Sequence, residues 1–270
     1  MDVSIVIVSY NTKDLTKNCL KSIYEKVQEL EFEVYVVDNN SSDGSCEMIE
    51  EEFHQVKLIR NTENKGFGAA NNIAIKKSNA KYVFLLNTDT ILLNNAVKMF
   101  FDFMENPENK LIAVCGSYLL DEKMNYQLSY GNFPTLARFV ACKLRINKLF
   151  PKLYAKIFHQ EERFNTGILK EVDFVVGADM FIRKNILDEV GLFDEDFFMY
   201  FEESELTYRI NKKGYKSFVI PGPEIIHLDG LCRDFSKKRL TQFCKGQTLY
   251  FKKCLNPLSN IIYNLLSIKK

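Results

Sequence analysis

Val3-Ser-Ile-Val-Ile-Val-Ser9 is an almost unbroken run of β-branched residues, of strand length and well short of the roughly 18 apolar residues a membrane span needs. A continuous apolar run suits a strand covered on both faces, which is the setting of a parallel sheet. Behind it Leu15, Leu20, Ile23, Tyr24 and Val27 recur near helical spacing, with Thr12 or Asp14 placed to cap the start. Strand patterns follow at 32–37, 56–60 and 82–86, separated by helical ones at 47–53, 68–77 and 95–104. This alternation predicts a doubly wound parallel sheet with right-handed crossovers.

Beyond a further strand at 112–117 the alternation stops. Residues 134–165 carry apolar side chains at Val140, Leu144, Leu149, Leu153 and Ile157, which predicts two amphipathic helices broken by Pro151. Strand-like runs return at 172–176, 180–183 and 217–220. A helix starts near Glu203, with Leu206 and Ile210 inward, and stops at Lys212-Lys213-Gly214. From Phe235 onward the chain reads as helical and basic. The expected fold class is therefore α/β: a mixed, mostly parallel, doubly wound Rossmann-like sheet flanked by helices. Residues 1–232 form its main domain with a basic helical insertion at about 134–165, and 233–270 form a helical C-terminal tail.

The composition of the 270 residues, 46% hydrophobic and 26% charged, excludes disordered, collagen-like and coiled-coil chains. The net charge of +1 argues against a nucleic-acid partner. That balance hides a split. Residues 134–165 hold seven basic and two acidic side chains and 233–270 hold nine and one, a net +13 that leaves the other 200 residues at −12. Such segregation presents a basic face to something anionic, such as lipid headgroups; two solvated Lys-rich helices or the interface of a homodimer would carry the same count. Seven scattered cysteines without a C-x-x-C pair read as free thiols in a reducing compartment. Without a signal-peptide pattern or an apolar span, the expected location is cytoplasmic, with peripheral contact at the cytoplasmic membrane face through the basic helices.

In an open parallel sheet ligands bind beyond the carboxyl ends of the strands. There the chain places Ser9-Tyr10-Asn11-Thr12, Asp38-Asn39-Asn40-Ser41-Ser42-Asp43-Gly44, Asn61-Thr-Glu-Asn64-Lys-Gly66-Phe-Gly68 and Asn87-Thr88-Asp89-Thr90. Gly66-Phe-Gly68-Ala-Ala-Asn71 opens a helix and lets backbone approach a diphosphate, although a tight turn needs the same glycines. Singly, Asp38 and Asp89 are ordinary turn residues, and Glu202, Glu203 and Glu205 are ordinary acids at a helix start. Their joint presence at the strand ends of one frame sets them apart.

These stretches, together with Val176-Gly177-Ala178-Asp179-Met-Phe-Ile-Arg183, Val190-Gly191-Leu-Phe-Asp194-Glu-Asp-Phe-Phe-Met-Tyr-Phe-Glu202-Glu203-Ser-Glu-Leu206 and Ile225-Ile-His227, resemble the family 2 glycosyltransferases of the GT-A fold. The later motifs are similar to a rhamnosyltransferase-like branch, and the match runs in order from about residue 3 to 230. The resemblance implies an inverting transfer of a sugar from a nucleotide-diphosphate donor, a dTDP- or UDP-sugar, to a hydroxyl of a glycan or lipid-linked acceptor in surface polysaccharide or glycolipid synthesis. It implies that Asp38, with Ser9, Tyr10, Asn11, Asn40, Asn64, Gly66, Asn71, Asn87 and Thr88, binds the donor. Asp89, joined by His227, would hold a divalent metal, Mg2+ or Mn2+, against the diphosphate.

By the same resemblance Glu203 is the general base of the Glu202-Glu203 pair, with Glu202 or Asp179 as substitutes. Gly177, Ala178 and Asp179 would line the acceptor side together with the insertion. Two positions depart from the pattern: Thr88 stands where Pro is common, and Glu203 where Asp is usual, which moves the carboxylate out by one methylene. That second change also suits a GT-A scaffold that binds a sugar nucleotide without turnover, in support of a partner enzyme. A sugar-nucleotide pyrophosphorylase would need a Gly-rich basic loop after the first strand, where this chain has Tyr10-Asn11-Thr12.

Overall fold

In the computed structural model of the protein, β1 (Val3–Ser9) is buried along nearly its whole length and leads into α1 (Lys13–Lys26). The alternation continues through β2 (Phe32–Asp38), α2 (Ser45–Glu52), β3 (Lys57–Arg60), α3 (Phe67–Ile75) and β4 (Tyr82–Asn87). Then come β5 (Thr90–Leu92), α4 (Ala96–Glu105), β6 (Ile112–Ser117), β7 (Tyr130–Gly131), α5 (Leu136–Lys143), α6 (Ile146–Leu149) and α7 (Pro151–Ile157). The second half holds β8 (Lys170–Val172), β9 (Phe174–Val175), β10 (Asp179–Arg183), α8 (Lys184–Val190), α9 (Glu202–Lys212), β11 (Lys216–Ile220) and β12 (Ile225–His227). α10 (Lys237–Cys254) and α11 (Pro257–Ser267) follow. The structure describes residues 1–158, 167–228 and 237–267; the boundary expected at 232–233, Cys232 and the ends of the expected insertion and tail lie outside them.

The main sheet runs β3-β2-β1-β4-β10-β6-β11-β8. Strands β3, β2, β1 and β4 are mutually parallel, as the alternating half predicts, and β6 pairs parallel with β11. β10 enters between β4 and β6 antiparallel to both, and β8 closes the edge antiparallel to β11. The sheet has a core on each face: Ile5, Ile7, Phe84, Phe100 and Phe181 on one, Val6, Val83, Leu85, Met180 and Leu206 on the other. Burial on both faces is what the unbroken apolar run of β1 requires.

Three sequence expectations are corrected. Thr12 takes the N-cap position of α1 but makes no capping bond; the Lys13 N–H donates instead to Asp43 Oδ2 of the next loop (2.8 Å). The described part of the insertion, 134–158, forms three helices rather than the two expected for the whole segment. Its first break falls at Arg145, whose φ of 57° is left-handed, and Pro151 begins α7, where its missing N–H costs nothing. Two short strands, β5 and β12, escaped the pattern because three residues carry no period, yet their antiparallel pairing sets His227 opposite Thr90.

The two basic segments pack on each other. Phe139 of α5 meets Tyr263 of α11 (ring centroids 4.7 Å) and Phe251 of α10 (5.8 Å). α10 also lies against the turn that opens α9: a Cβ on Gly246 would stand 2.5 Å from the Tyr200 carbonyl oxygen, so only glycine permits that approach.

Candidate active site

The register of the parallel strands lines up three of the expected donor residues. Ser9 is opposite Asp38 and Val8 is opposite Asn87, so the ends of β2, β1 and β4 form one edge. Asp38 is buried; its Oδ1 accepts the Ser41 N–H (2.8 Å), while its Oδ2 is buried without a partner. A buried carboxylate oxygen left open is costly unless something completes it. The Asn11 loop is tied to the Asp38 loop, since Asn11 Oδ1 accepts the Ser42 N–H and the Asn11 N–H donates to Ser41 Oγ. Tyr10 and Asn40 face solvent at the rim of this edge.

The glycine loop is joined to the same edge. Asn64 Oδ1 accepts the Gly66 N–H (2.9 Å), and Asn39 Nδ2 donates to the Gly66 carbonyl (3.1 Å). Gly66 has a φ of 84°, and a Cβ there would meet the Phe198 carbonyl oxygen at 2.3 Å. Asn71 donates only to its own helix, at the Phe67 carbonyl, and leaves a buried Oδ1 without a partner. The bridging is done by its neighbour Asn72, which exchanges two hydrogen bonds with the Phe193 backbone. Sequence reading overlooked Asn72 and Asn39; the doubled Asn71-Asn72 at a helix start was the available signal.

Past β4, Thr90 Oγ1 donates to the Asn87 carbonyl (2.7 Å) and closes the Thr88-Asp89 turn, where Thr stands in place of Pro. The pairing of β5 with β12 brings His227 Nε2 to 3.4 Å from Asp89 Oδ1, and the Leu228 N–H donates to the Asp89 carbonyl. A carboxylate and an imidazole this close together could both bind one divalent cation, so the pair fits such an ion. Among the described residues no group of three or more His, Cys, Asp or Glu side chains could hold a metal. Phosphate oxygens of a donor and water would complete such a site in the manner usual for Mg2+.

Asp179, expected on the acceptor side with Gly177 and Ala178, is fully buried and its Oδ2 accepts both the N–H and the hydroxyl of Ser117 (2.6 Å each). Burial pushes its carboxyl up to about 7, opposed by the Ser117 bonds and by nearby His227. The Ala178 carbonyl receives the Asn87 N–H, so this segment braces the end of β4. Asp179 does not line the cleft described next.

Glu202 and Glu203 open α9 after two successive left-handed residues, Tyr200 and Phe201, each with a φ of 72°. Such strained backbone outside glycine is held only by its surroundings, here the Gly246 approach and the Phe67 N–H bonded to the Phe198 carbonyl (3.0 Å). Neighbours on a helix point about 100° apart. Glu202 turns inward, 4% exposed, with an unpartnered Oε2; burial and then the adjacent Glu203 charge raise its carboxyl far above the ordinary range. Glu203 instead lines a cleft of about 460 Å³. Burial pushes it up to about 7, moderated by the backbone N–H groups at the helix start. The cleft is walled by Arg138 and Phe139 of α5, Phe243, Gln247 and Phe251 of α10, and Phe174 and Val176. Asp38 and Asp89 do not line it.

Residues 4–191 match Glycosyl transferase family 2. An uncharacterized glycosyltransferase of Bacillus subtilis is 29% identical over 71% of this chain, which spans 48% of that relative's length. The rhamnosyltransferase WbbL of Escherichia coli is 26% identical over 83% of both chains. An N-acetylglucosaminyl-diphospho-decaprenol L-rhamnosyltransferase of Mycobacterium tuberculosis is 23% identical over 83% of this chain and 75% of its own. Among solved structures, a Pyrobaculum calidifontis mannosyltransferase in complex with GDP-Man and Mn2+ superposes with a TM-score of 0.63 at 16% identity, over 93% of this chain and 63% of that one. The chain thus spans from about a fifth to most of the length of the curated relatives it matches.

Proposed function

The chain belongs to glycosyl transferase family 2 and has the GT-A fold, and from that premise we propose that it transfers a hexose, with inversion, from a UDP- or dTDP-sugar to a hydroxyl of a glycan or lipid-linked acceptor in cell-surface glycan synthesis. The observation that carries this reading is the Asp89–His227 pair, 3.4 Å apart on the sheet edge that also holds the open oxygen of Asp38. The likeness of the chain to rhamnosyltransferases supports the class of reaction. Its setting in this reading is cytoplasmic, in keeping with the free thiols of Cys19, Cys46, Cys115, Cys142, Cys244 and Cys254. No helix among the described residues is long and apolar enough to cross a membrane.

In this mechanism Asp38 receives hydroxyl or N–H donors of the nucleoside at Oδ2, because Oδ1 is occupied by Ser41. Asp89 and His227 would hold a divalent cation, whose chemistry when bound would be to offset the charge developing on the departing diphosphate. Glu203 takes the proton of the acceptor hydroxyl as its oxygen bonds to the anomeric carbon and the bond to diphosphate breaks on the opposite face. Inversion by direct displacement needs one base. A carboxyl near 7 is matched to that task.

Calorimetry of a panel of UDP- and dTDP-sugars with Mn2+, repeated in EDTA and followed by mass spectrometry of transfer products, tests the reading. Metal-dependent binding with turnover is expected. Absence of donor binding overturns the transferase reading, and binding without transfer to any lipid-linked or glycan acceptor favours a non-catalytic subunit.

A further inference from the structure

α5–α7 and α10–α11 are one face of the molecule, clamped by Phe139 between Phe251 and Tyr263. Residues 134–158 and 237–267 contain twelve Lys or Arg and not one Asp or Glu. Lys253 is engaged elsewhere, bridging Asp194 and Asp196. α11 is amphipathic with its apolar stripe outward. Leu258, Ile261, Ile262, Leu265 and Leu266 follow helical spacing, and all are exposed, Leu258 to 69% and Leu265 to 66%. Tyr263 alone is buried, against Phe139 and Phe251 and bonded to Thr248 (3.0 Å). On α6 and α7, Leu149 and Leu153 are exposed at the same spacing, again beside lysines.

An apolar stripe on a helix of a globular protein normally faces the core. One turned outward on basic segments that hold no carboxylate of their own has the composition of an interfacial helix, whose apolar face enters the headgroup boundary while its cations meet anionic lipid. We propose that this face seats on an anionic lipid bilayer. Charge complementarity selects that occupant: a second copy docked through the same face would set its positive charge against an equal one, whereas an anionic leaflet draws it in. α5 and α10 also wall the cleft of Glu203. Resting on the reading of Glu203 as the base, the bilayer-facing helices are then the ones that receive an acceptor carried in the membrane.

Co-sedimentation of the full chain with vesicles, without donor or acceptor, tests the proposal independently of catalysis. Partition into phosphatidylcholine vesicles containing phosphatidylglycerol should exceed that into phosphatidylcholine alone by about tenfold or more. It should collapse as salt rises from about 0.1 to about 1 M, which shortens the screening length from about 10 to about 3 Å. A Leu258→Ser/Ile261→Ser/Leu265→Ser variant and a Lys148→Glu/Lys152→Glu variant should each lose the preference while melting like the parent chain, since all five side chains are exposed. Equal partition into both vesicles, no partition, or a dimer in light scattering that the serine variant dissolves without any vesicle binding would overturn it. Any of these leaves the transferase reading standing, because no sugar enters the assay.

Discussion

Asn72 exchanges two hydrogen bonds with Phe193: its amide nitrogen donates to the Phe193 carbonyl (2.9 Å) and its Oδ1 accepts the Phe193 N–H (3.0 Å). The pair fastens α3, which begins at the glycine loop of the donor edge, to the segment that leads into α9 and Glu203. Asn72 is therefore a positioning residue between the two halves of the candidate site. In Asn72→Ala both backbone groups of Phe193 lose a buried partner, at about 1–3 kcal/mol each. The melting temperature should fall by about 2–4 °C per kcal/mol lost. Turnover should fall more than donor affinity. Equal loss of kcat and donor binding would refute a positioning role.

Glu203→Gln should lower kcat by about 10²–10⁴ and leave donor affinity unchanged in calorimetry, as expected for loss of a general base. Since the base must be ionised and Glu203 is pushed up to about 7, kcat of the parent chain should climb as pH rises through about 7 and then level off. The stability change runs the other way. Between the ordinary carboxyl value of 4.5 and about 7 the folded state holds a proton that the unfolded state has released, so stability falls as pH rises through that window. Glu203→Gln should gain on the parent in melting temperature at pH 8, and the gain should fade toward pH 5. A gain independent of pH would show that the substitution acts through packing.

Asp89 and Asp38 should separate in donor binding. Asp89→Ala should erase the increment that Mn2+ adds to donor affinity, so that the variant with metal binds like the parent chain in EDTA. Asp38→Ala should weaken donor binding by a similar factor with and without metal, because its open Oδ2 faces the nucleoside in this reading. EDTA should also suppress turnover of the parent chain. If Asp89→Ala keeps the full Mn2+ increment, the metal is held elsewhere.

Two glycines of similar φ should respond differently to alanine. Gly214 has a φ of 88° with open space around it, so Gly214→Ala carries only the backbone strain, about 1–2 kcal/mol. Gly66 has a φ of 84° and stands where a Cβ would lie 2.3 Å from the Phe198 carbonyl oxygen. Gly66→Ala should therefore cost distinctly more and should loosen the contact between donor loop and base segment. Denaturant midpoints of the two variants measure the difference, and equal midpoints would refute the close approach.

The alternating half of the fold was legible because its information is local. A buried parallel strand must be mainly apolar, and residues 3–8, 34–37 and 82–86 are, so the polar residues that end these strands mark the ligand edge without further help. The insertion of β10 between β4 and β6 was not legible, because an antiparallel strand with four of its five residues buried looks in sequence like a parallel one. Strands of three residues such as β5 and β12 have no period to detect, and His227 was found only through resemblance. The two basic segments were visible as charge, but their meeting on one face depends on the rings of Phe139, Phe251 and Tyr263, which are far apart in the chain.

By itself, then, the amino-acid order determined the parallel half-sheet, the polar loops that end its strands and the charge split between body and helices. Each follows from patterns within a dozen residues. Only the tertiary structure decided which of two adjacent glutamates faces the cleft, that Asp179 is bound to Ser117 and kept away from it, and that His227 stands beside Asp89. Those relations depend on helix phase and on pairings between distant segments, where a rotation of about 100° or one strand contact exchanges an inward carboxyl for one that lines the cleft.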